Sequence, residues 1–384
     1  MTMWDTPERR ALAAAAAAFT KAEITPNVAA WEEAGELPRS LHKKAAAAGL
    51  HAVGYPEEVG GDGGDIVDAA IISAATIGAG ASTGVLASWL THSIALPHII
   101  ASGNSDLIDR YVRPTLAGQK IGSLAVTEPG GGSDVANIRT KAVRDGDHYI
   151  VNGAKTFITS GVRADFVTTA VRTGGAGHRG ISLLVIDKAT PGFEVAPPLK
   201  KMGWLCSDTA ELSFDDVRVP VGNLVGPENS GFAMIMMQFV NERLGIAVQA
   251  CAAAQRCVDL AAQYARERET FGAPLISRQV IQHKLVDMSR RTAAAWAITR
   301  QAYERQVVDA NSNEAVIDAL FAKRQSVESV EWVASEAVQI FGGMGYMRET
   351  EVERHYRDVR ILGIGGGGNE VLNDLAARRL GYTA

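Results

Sequence analysis

Three uninterrupted runs of helical period, Phe232–Arg268, Gln279–Asp309 and Asn313–Phe341, dominate the C-terminal part of the chain. Each is well over twice the length of an average helix of about 11–12 residues. Helices this long, joined by short loops, bury their apolar stripes by packing antiparallel against one another. With a shorter run at Asn369–Arg379, residues 226–384 are expected to form a four-helix bundle.

Upstream the period changes twice. Residues 1–120 read as helices, with Pro7 in the first turn of the opening one and Pro26 punctuating the pattern. Gly54–Gly64 is a loop by composition, and the apolar runs Ile66–Ile77 and Gly84–Ile100 read as buried helices, the second bent near Pro97. Residues 121–225 hold short β-rich segments: Phe166–Val171, Ile181–Ile186, Phe193–Ala196 and Glu211–Phe214, with a hairpin in Lys141–Val151 bent at Asp145-Gly146-Asp147. They predict a small antiparallel barrel or sandwich, making the chain an α+β protein of three parts that pack as one body. Gly175-Ala176-Gly177-His178-Arg179-Gly180 matches the dinucleotide pattern but joins two strands, whereas that fingerprint must open a helix.

Composition narrows the function. A chain of 384 residues with a net charge of −5 has no concentrated basic surface for nucleic acid. Three cysteines, Cys206, Cys251 and Cys257, make no disulfide framework and no zinc spacing, and the eight histidines are scattered, so no metal is expected and the setting reads as reducing and cytoplasmic. The alanine-rich start carries Asp5 and Glu8 where a leader would be basic, so it reads as a surface helix. No stretch has the ~20 uninterrupted apolar residues of a membrane span.

Three places can carry chemistry. Glu242 shares a helix face with Ile235, Phe239 and Ile246 and has no basic residue at i±3 or i±4. Burial of such a carboxylate raises its pKa towards that of a general base; the alternatives are a structural pair with a distant arginine or a solvated face. Gly365-Gly366-Gly367-Gly368 opens into a helix, and its free N–H groups can hold a carbonyl that gains negative charge, or else form a loose joint. Leu124–Asp134, with Gly130-Gly131-Gly132, and the second knot Phe157-Ile158-Thr159-Ser160 flank the hairpin; they are plain turns or the bed of a large flat ligand.

Taken in order along nearly the whole chain, the motifs resemble the acyl-CoA dehydrogenase family. They are Ala125–Ser133, Phe157-Ile158-Thr159, Lys201-Met202-Gly203-Trp204 running to Pro220, Glu267–Gly272 with Gln279, Gln339–Tyr346, and Tyr356-Arg357-Asp358 before the terminal glycines. The resemblance implies FAD, an acyl-CoA substrate, α,β-dehydrogenation to a trans-2-enoyl-CoA, electron-transfer flavoprotein as acceptor, and a homotetramer built as a dimer of dimers. It implies that Leu124, Val126, Thr127, Ser133, Phe157, Ile158 and Thr159 meet the flavin. It also implies that Arg268, Phe271, Gln279, Gln339, Gly342 and Gly343 reach a neighbouring subunit's FAD, while Gly368, Asn369 and Glu370 complete the cofactor site. Ser133, Val240, Asn241, Arg243, Gly366 and Gly367 would bind substrate.

The departures sharpen this expectation. Most members carry the catalytic glutamate where this chain has Gly366; the isovaleryl and long-chain members carry it on the long helix, at the position of Glu242. The resemblance therefore implies Glu242 as base, with the Gly366 N–H and a flavin hydroxyl polarising the thioester carbonyl. Phe157 replaces a usual Trp, Gly368 a usual Thr, and Leu205 a common Arg. A monooxygenase or oxidase on the same scaffold, and a catalytically silent CoA- or flavin-binding scaffold, are the competing expectations.

Overall fold

The computed structural model describes residues 2–383. Its first part is helical: α1 (Pro7–Phe19), α2 (Val28–Ala34), α3 (Ser40–Ala47), α4 (Ile66–Gly78), α5 (Thr83–Trp89), α6 (His92–Ala101) and the short turns α7 (Ser105–Leu107) and α8 (Arg113–Leu116). Thr6 caps α1, accepting from the Arg9 N–H with Pro7 inside the first turn, and Asp65 closes a capping box on α4 with Asp68.

The apolar run ending at Ile100 breaks earlier than expected. Helix stops at Leu90 and restarts at His92, where the Thr91 hydroxyl bonds the Ala87 and Ser88 carbonyls. Pro97 instead sits inside α6. A proline frees the carbonyl four residues back; that carbonyl, Ser93, accepts from the Gln238 amide at 3.1 Å. The helix stays continuous because a neighbouring helix supplies the missing donor.

The middle part is one sheet of eight strands: β1 (Gly122–Ala125), β2 (Lys141–Asp145), β3 (His148–Thr159), β4 (Phe166–Arg172), β5 (Ile181–Asp187), β6 (Phe193–Val195), β7 (Thr209–Pro220) and β8 (Leu224–Val225). The path runs β6-β7-β3-β2-β4-β5-β8, mostly antiparallel, with β1 and β2 each meeting β4 in parallel. The hairpin turns as expected, Asp145 pairing His148. The expected strand at Glu211–Phe214 is the centre of the longer β7.

Three long helices form the C-terminal part: α9 (Gly231–Glu267), α10 (Gln279–Val308) and α11 (Asn313–Phe341), with a two-stranded β9 (Glu269–Thr270) and β10 (Ala273–Pro274) between the first two. The fourth side of the bundle is made by the shorter α12 (Glu351–Val359) and α13 (Asn369–Arg379). The cores cross the three parts. Ile24 and Trp89 share one cluster with Ala250 and Val330, and Ile235 of α9 joins Leu96 and Val185 in another.

Distant motifs meet for physical reasons. Asp358, fully buried, accepts the N–H groups of Trp204 at 2.6 Å and Gly84 at 3.3 Å. Gly203 is required there because a Cβ would lie 2.5 Å from the Arg357 carbonyl oxygen. Nothing in the structure explains Leu205.

Candidate active site

One cleft of about 1020 Å³ opens where the three parts meet. Its first wall is the end of β1. Glu128, inside the first glycine-rich knot, is buried and accepts the N–H groups of Arg139 and Thr140 at 2.6 and 2.8 Å and the Lys155 ammonium at 2.9 Å. Lys155 also donates to the Val126 carbonyl at 2.9 Å. Its partners hold the Glu128 carboxyl below its usual pKa, while burial pulls the Lys155 ammonium down to about 8. This circuit fixes Val126 and Thr127 at the cleft edge.

The second wall is a bulge in β3 between Lys155 and Ile158. It throws Phe157 outward at φ +59°, a left-handed backbone rarely adopted by an aromatic residue, and leaves that ring 68% exposed. Ser160, also at positive φ, is anchored by its 2.7 Å contact with the Thr91 hydroxyl.

The third wall is α9, with Phe239, Asn241, Glu242 and Arg243 on the cleft. Val240 departs from expectation: it turns the other way into the core with Val67 and Leu244, because two residues along a helix reverse the face. Facing α9 are Gly365, Gly366 and Gly367. Gly366 has φ +65°, and a Cβ placed on it would stand 3.6 Å from Glu242 Oε1 and 2.6 Å from Ile246 Cδ1. Glu242 has no hydrogen-bonded partner among the described residues. Burial raises its pKa; the Arg243 and Lys323 charges oppose that shift without reversing it.

Of the expected cofactor and substrate residues, Leu124, Val126, Thr127, Ser133, Phe157, Ile158, Thr159, Asn241, Arg243, Gly366 and Gly367 line this cleft. Others do not. Arg268, Phe271, Gln279, Gln339, Gly342 and Gly343 gather at the opposite end of the bundle, where Tyr264 stacks on Phe341 at 4.1 Å. The helical rise from Glu242 to Arg268 is about 39 Å. Gly368 caps α13, Asn369 begins it, and Glu370 points to solvent.

Lys323 was missed. It stands on α11 among Ala319, Leu320, Ser326 and Val327, all buried, so the criterion that singles out Glu242 would also have found it.

A flat ring system with an apolar face and polar edges fits these residues. Leu124, Val126 and Ile158 are apolar, Phe157 is exposed by the bulge, and the hydroxyls of Thr127, Ser133 and Thr159 have no partner among the described residues. The Asn369 amide oxygen, away from the cleft lining at the start of α13, is buried and unpartnered among the described residues. A half-buried lone carboxylate facing a glycine nest, beside such a bed, is the arrangement a flavin-dependent dehydrogenase of a carbon acid requires.

Comparison with known proteins gives the family. The acyl-CoA dehydrogenase N-terminal, middle and C-terminal domain models match residues 6–119, 123–217 and 229–381. The long-chain specific acyl-CoA dehydrogenase of Sus scrofa is 36% identical over 370 residues, covering 94% of this chain and 84% of that protein. The crystal structure of a probable acyl CoA dehydrogenase from Mycobacterium abscessus is 62% identical, with a TM-score of 0.97 over 98% of this chain and all of that one. A Mycobacterium smegmatis glutaryl-CoA dehydrogenase in complex with FADH2 is 25% identical, with a TM-score of 0.92 over 99% and 96% of the two chains. This chain belongs to the acyl-CoA dehydrogenase family and is an FAD-dependent oxidoreductase of acyl-CoA thioesters.

Proposed function

We propose that Glu242 is the base and the Gly365–Gly368 loop the oxyanion site for α,β-dehydrogenation of a saturated acyl-CoA to a trans-2-enoyl-CoA. The observation that carries this reading is the approach of the unpaired Glu242 carboxylate to the backbone of Gly366. Gly366 supplies no carboxylate of its own, and Glu242 fills the space beside it. The raised pKa of Glu242 suits a group that must accept a proton from carbon. The Gly366 N–H donates to the thioester carbonyl, stabilising the charge that develops as the α-proton leaves. Leu124, Val126, Thr127, Ser133, Phe157, Ile158 and Thr159 would hold the flavin, which when bound supplies the two-electron acceptor.

Three further expectations belong to this reading. Phe271, Val280, Val286, Met344 and Tyr346 leave exposed apolar surface around Arg268, Gln279 and Gln339, which supports a homotetramer whose subunits share cofactor sites. Membership of the family supports electron-transfer flavoprotein as acceptor. All three cysteines are free and buried, which supports a reducing, cytoplasmic setting. The relatives' names range from long-chain to glutaryl substrates, so the test below spans both kinds of acyl group.

The decisive experiment is anaerobic titration of Glu242→Gln with a panel of acyl-CoA thioesters. FAD should remain bound while its reduction slows on the order of 10²–10⁴-fold. Reduction at the wild-type rate would remove Glu242 from the mechanism.

A further inference from the structure

The glycine loop is held from its carbonyl side by two cations. Lys323 is fully buried, and its ammonium donates to the Gly365 carbonyl at 2.6 Å and to the Gly367 carbonyl. The Arg243 Nε donates to the Gly366 carbonyl between them at 3.3 Å. In a trans peptide the carbonyl and the following N–H point in opposite directions. Anchoring these carbonyls therefore fixes where the N–H groups of Gly366, Gly367 and Gly368 point. None of those N–H groups has a partner among the described residues.

Consecutive glycines have the greatest backbone freedom of any sequence. Without its anchors, the Gly365–Gly366 peptide could turn its carbonyl towards the substrate, where it would repel a developing oxyanion. A buried ammonium is itself costly to desolvate, and Lys323 makes no ion pair among the described residues, so its placement needs a reason of this kind.

We propose that Lys323 is a positioning residue for the oxyanion site: it turns the loop carbonyls into the protein and so aims the Gly366 N–H at the thioester carbonyl. This rests on the assignment of that loop under Proposed function. Lys323 also acts on the base. The charged groups around Glu242 are Arg243 on its own helix, Lys323 on α11 and Arg378 at the cleft rim on α13. The titratable groups on the other walls are Tyr303 of α10 and Tyr55, with their phenol pKa values raised by burial, and His51 and His92, kept neutral by burial. Removing the Lys323 charge leaves the Glu242 carboxylate less stabilised, so its pKa should rise.

The test compares Lys323→Met and Lys323→Arg in the FAD-loaded protein. Amide hydrogen exchange should quicken at least about tenfold at Ile364 and Gly365, the loop N–H groups held by the Ile361 carbonyl, in peptides covering Ile361–Asn369 of Lys323→Met, with the rest of α11 unchanged. Its rate of flavin reduction at saturating acyl-CoA should fall roughly 10–100-fold with a KM change under about threefold. The acidic limb of its kcat/KM profile should move to higher pH. Lys323→Arg keeps the charge and the donors, so it should restore both loop protection and the acidic limb. Wild-type exchange and turnover in Lys323→Met would overturn the proposal. If Lys323→Met does not fold, Lys323→Ala is read by the same exchange measurement, and unchanged loop protection there is equally fatal. Loop exchange is measured without substrate, so it stands or falls separately from the fate of Glu242→Gln.

Discussion

The two glycine-rich segments of the cleft are each organised by a buried lysine, and they use it differently. Under the first, Lys155 meets a carboxylate: Glu128 accepts its proton-bearing ammonium and two backbone N–H groups as well. The circuit is closed, with its charges matched inside the protein. Under the second, Lys323 meets only the carbonyls of Gly365 and Gly367, and the nearest carboxylate, Glu242, is left without a hydrogen bond. Burial pulls both ammonium groups down to about 8, so the lysines themselves are alike. The difference lies in what is left over. A closed circuit gives a rigid edge for a ligand to lie against; an open one leaves donors and a base directed at a substrate.

The sharpest break would be made on the open side. Glu242→Gln should cost the 10²–10⁴-fold given above while leaving thermal stability near wild type. A glutamate on the loop should rescue it poorly: Gly366→Glu in a Glu242→Gly background forces a side chain onto a backbone of φ +65° and against Ile246 Cδ1. Adding Ile246→Ala to that pair should raise turnover, as measured by anaerobic flavin reduction. No gain would mean that the backbone strain, and not the contact, is limiting.

On the closed side, Lys155→Met should destabilise rather than slow the enzyme. It strands the buried Glu128 carboxylate, a loss of about 3–5 kcal/mol, visible as a lower urea midpoint and weaker FAD retention. If Lys155→Met keeps its stability and loses only turnover, the two lysines are not different in kind.

Acid separates both circuits from the helical part beneath them. His51 and His98 are held at about 4 by burial, and both ring nitrogens of His98 lack partners. Their folded pKa values lie below the unfolded 6.5, so protons favour the unfolded chain. Stability should be intact above pH 6.5 and decline as pH falls from 6.5 towards 4, a range in which both lysines stay charged. Denaturant midpoints across that range should fall less steeply in His98→Leu. An unchanged slope would exclude His98 as a contributor.

The smallest effect concerns the bulge. Phe157→Gly relieves a left-handed backbone costing roughly 1–2 kcal/mol, partly offset by the entropy of glycine. The FAD-free protein should gain about 1 kcal/mol or less in urea unfolding, while FAD binds more weakly for want of the exposed ring. Tighter FAD binding in this variant would mean that Phe157 obstructs the cofactor bed.

Much of this molecule was legible beforehand because its signals are local. Helical period placed α9, α10 and α11 to within a residue or two, since a buried stripe must recur at the spacing of the helix itself. Glu242 stood out for the same reason, as a charge where the stripe should be apolar. The meaning of glycine at 366, by contrast, came only from the resemblance to a family whose members mostly carry a glutamate there.

Tertiary structure decided what those residues meet. What would satisfy the Ser93 carbonyl freed by Pro97 depended on Gln238, more than a hundred residues away. The turn of Val240 into the core and of Asn241 into the cleft depended on where α4 lies against α9. Sequence marks a buried charge by its neighbours along one helix. Its partner is chosen across space, and so the joining of Lys323 to the glycine loop could be read only from the fold.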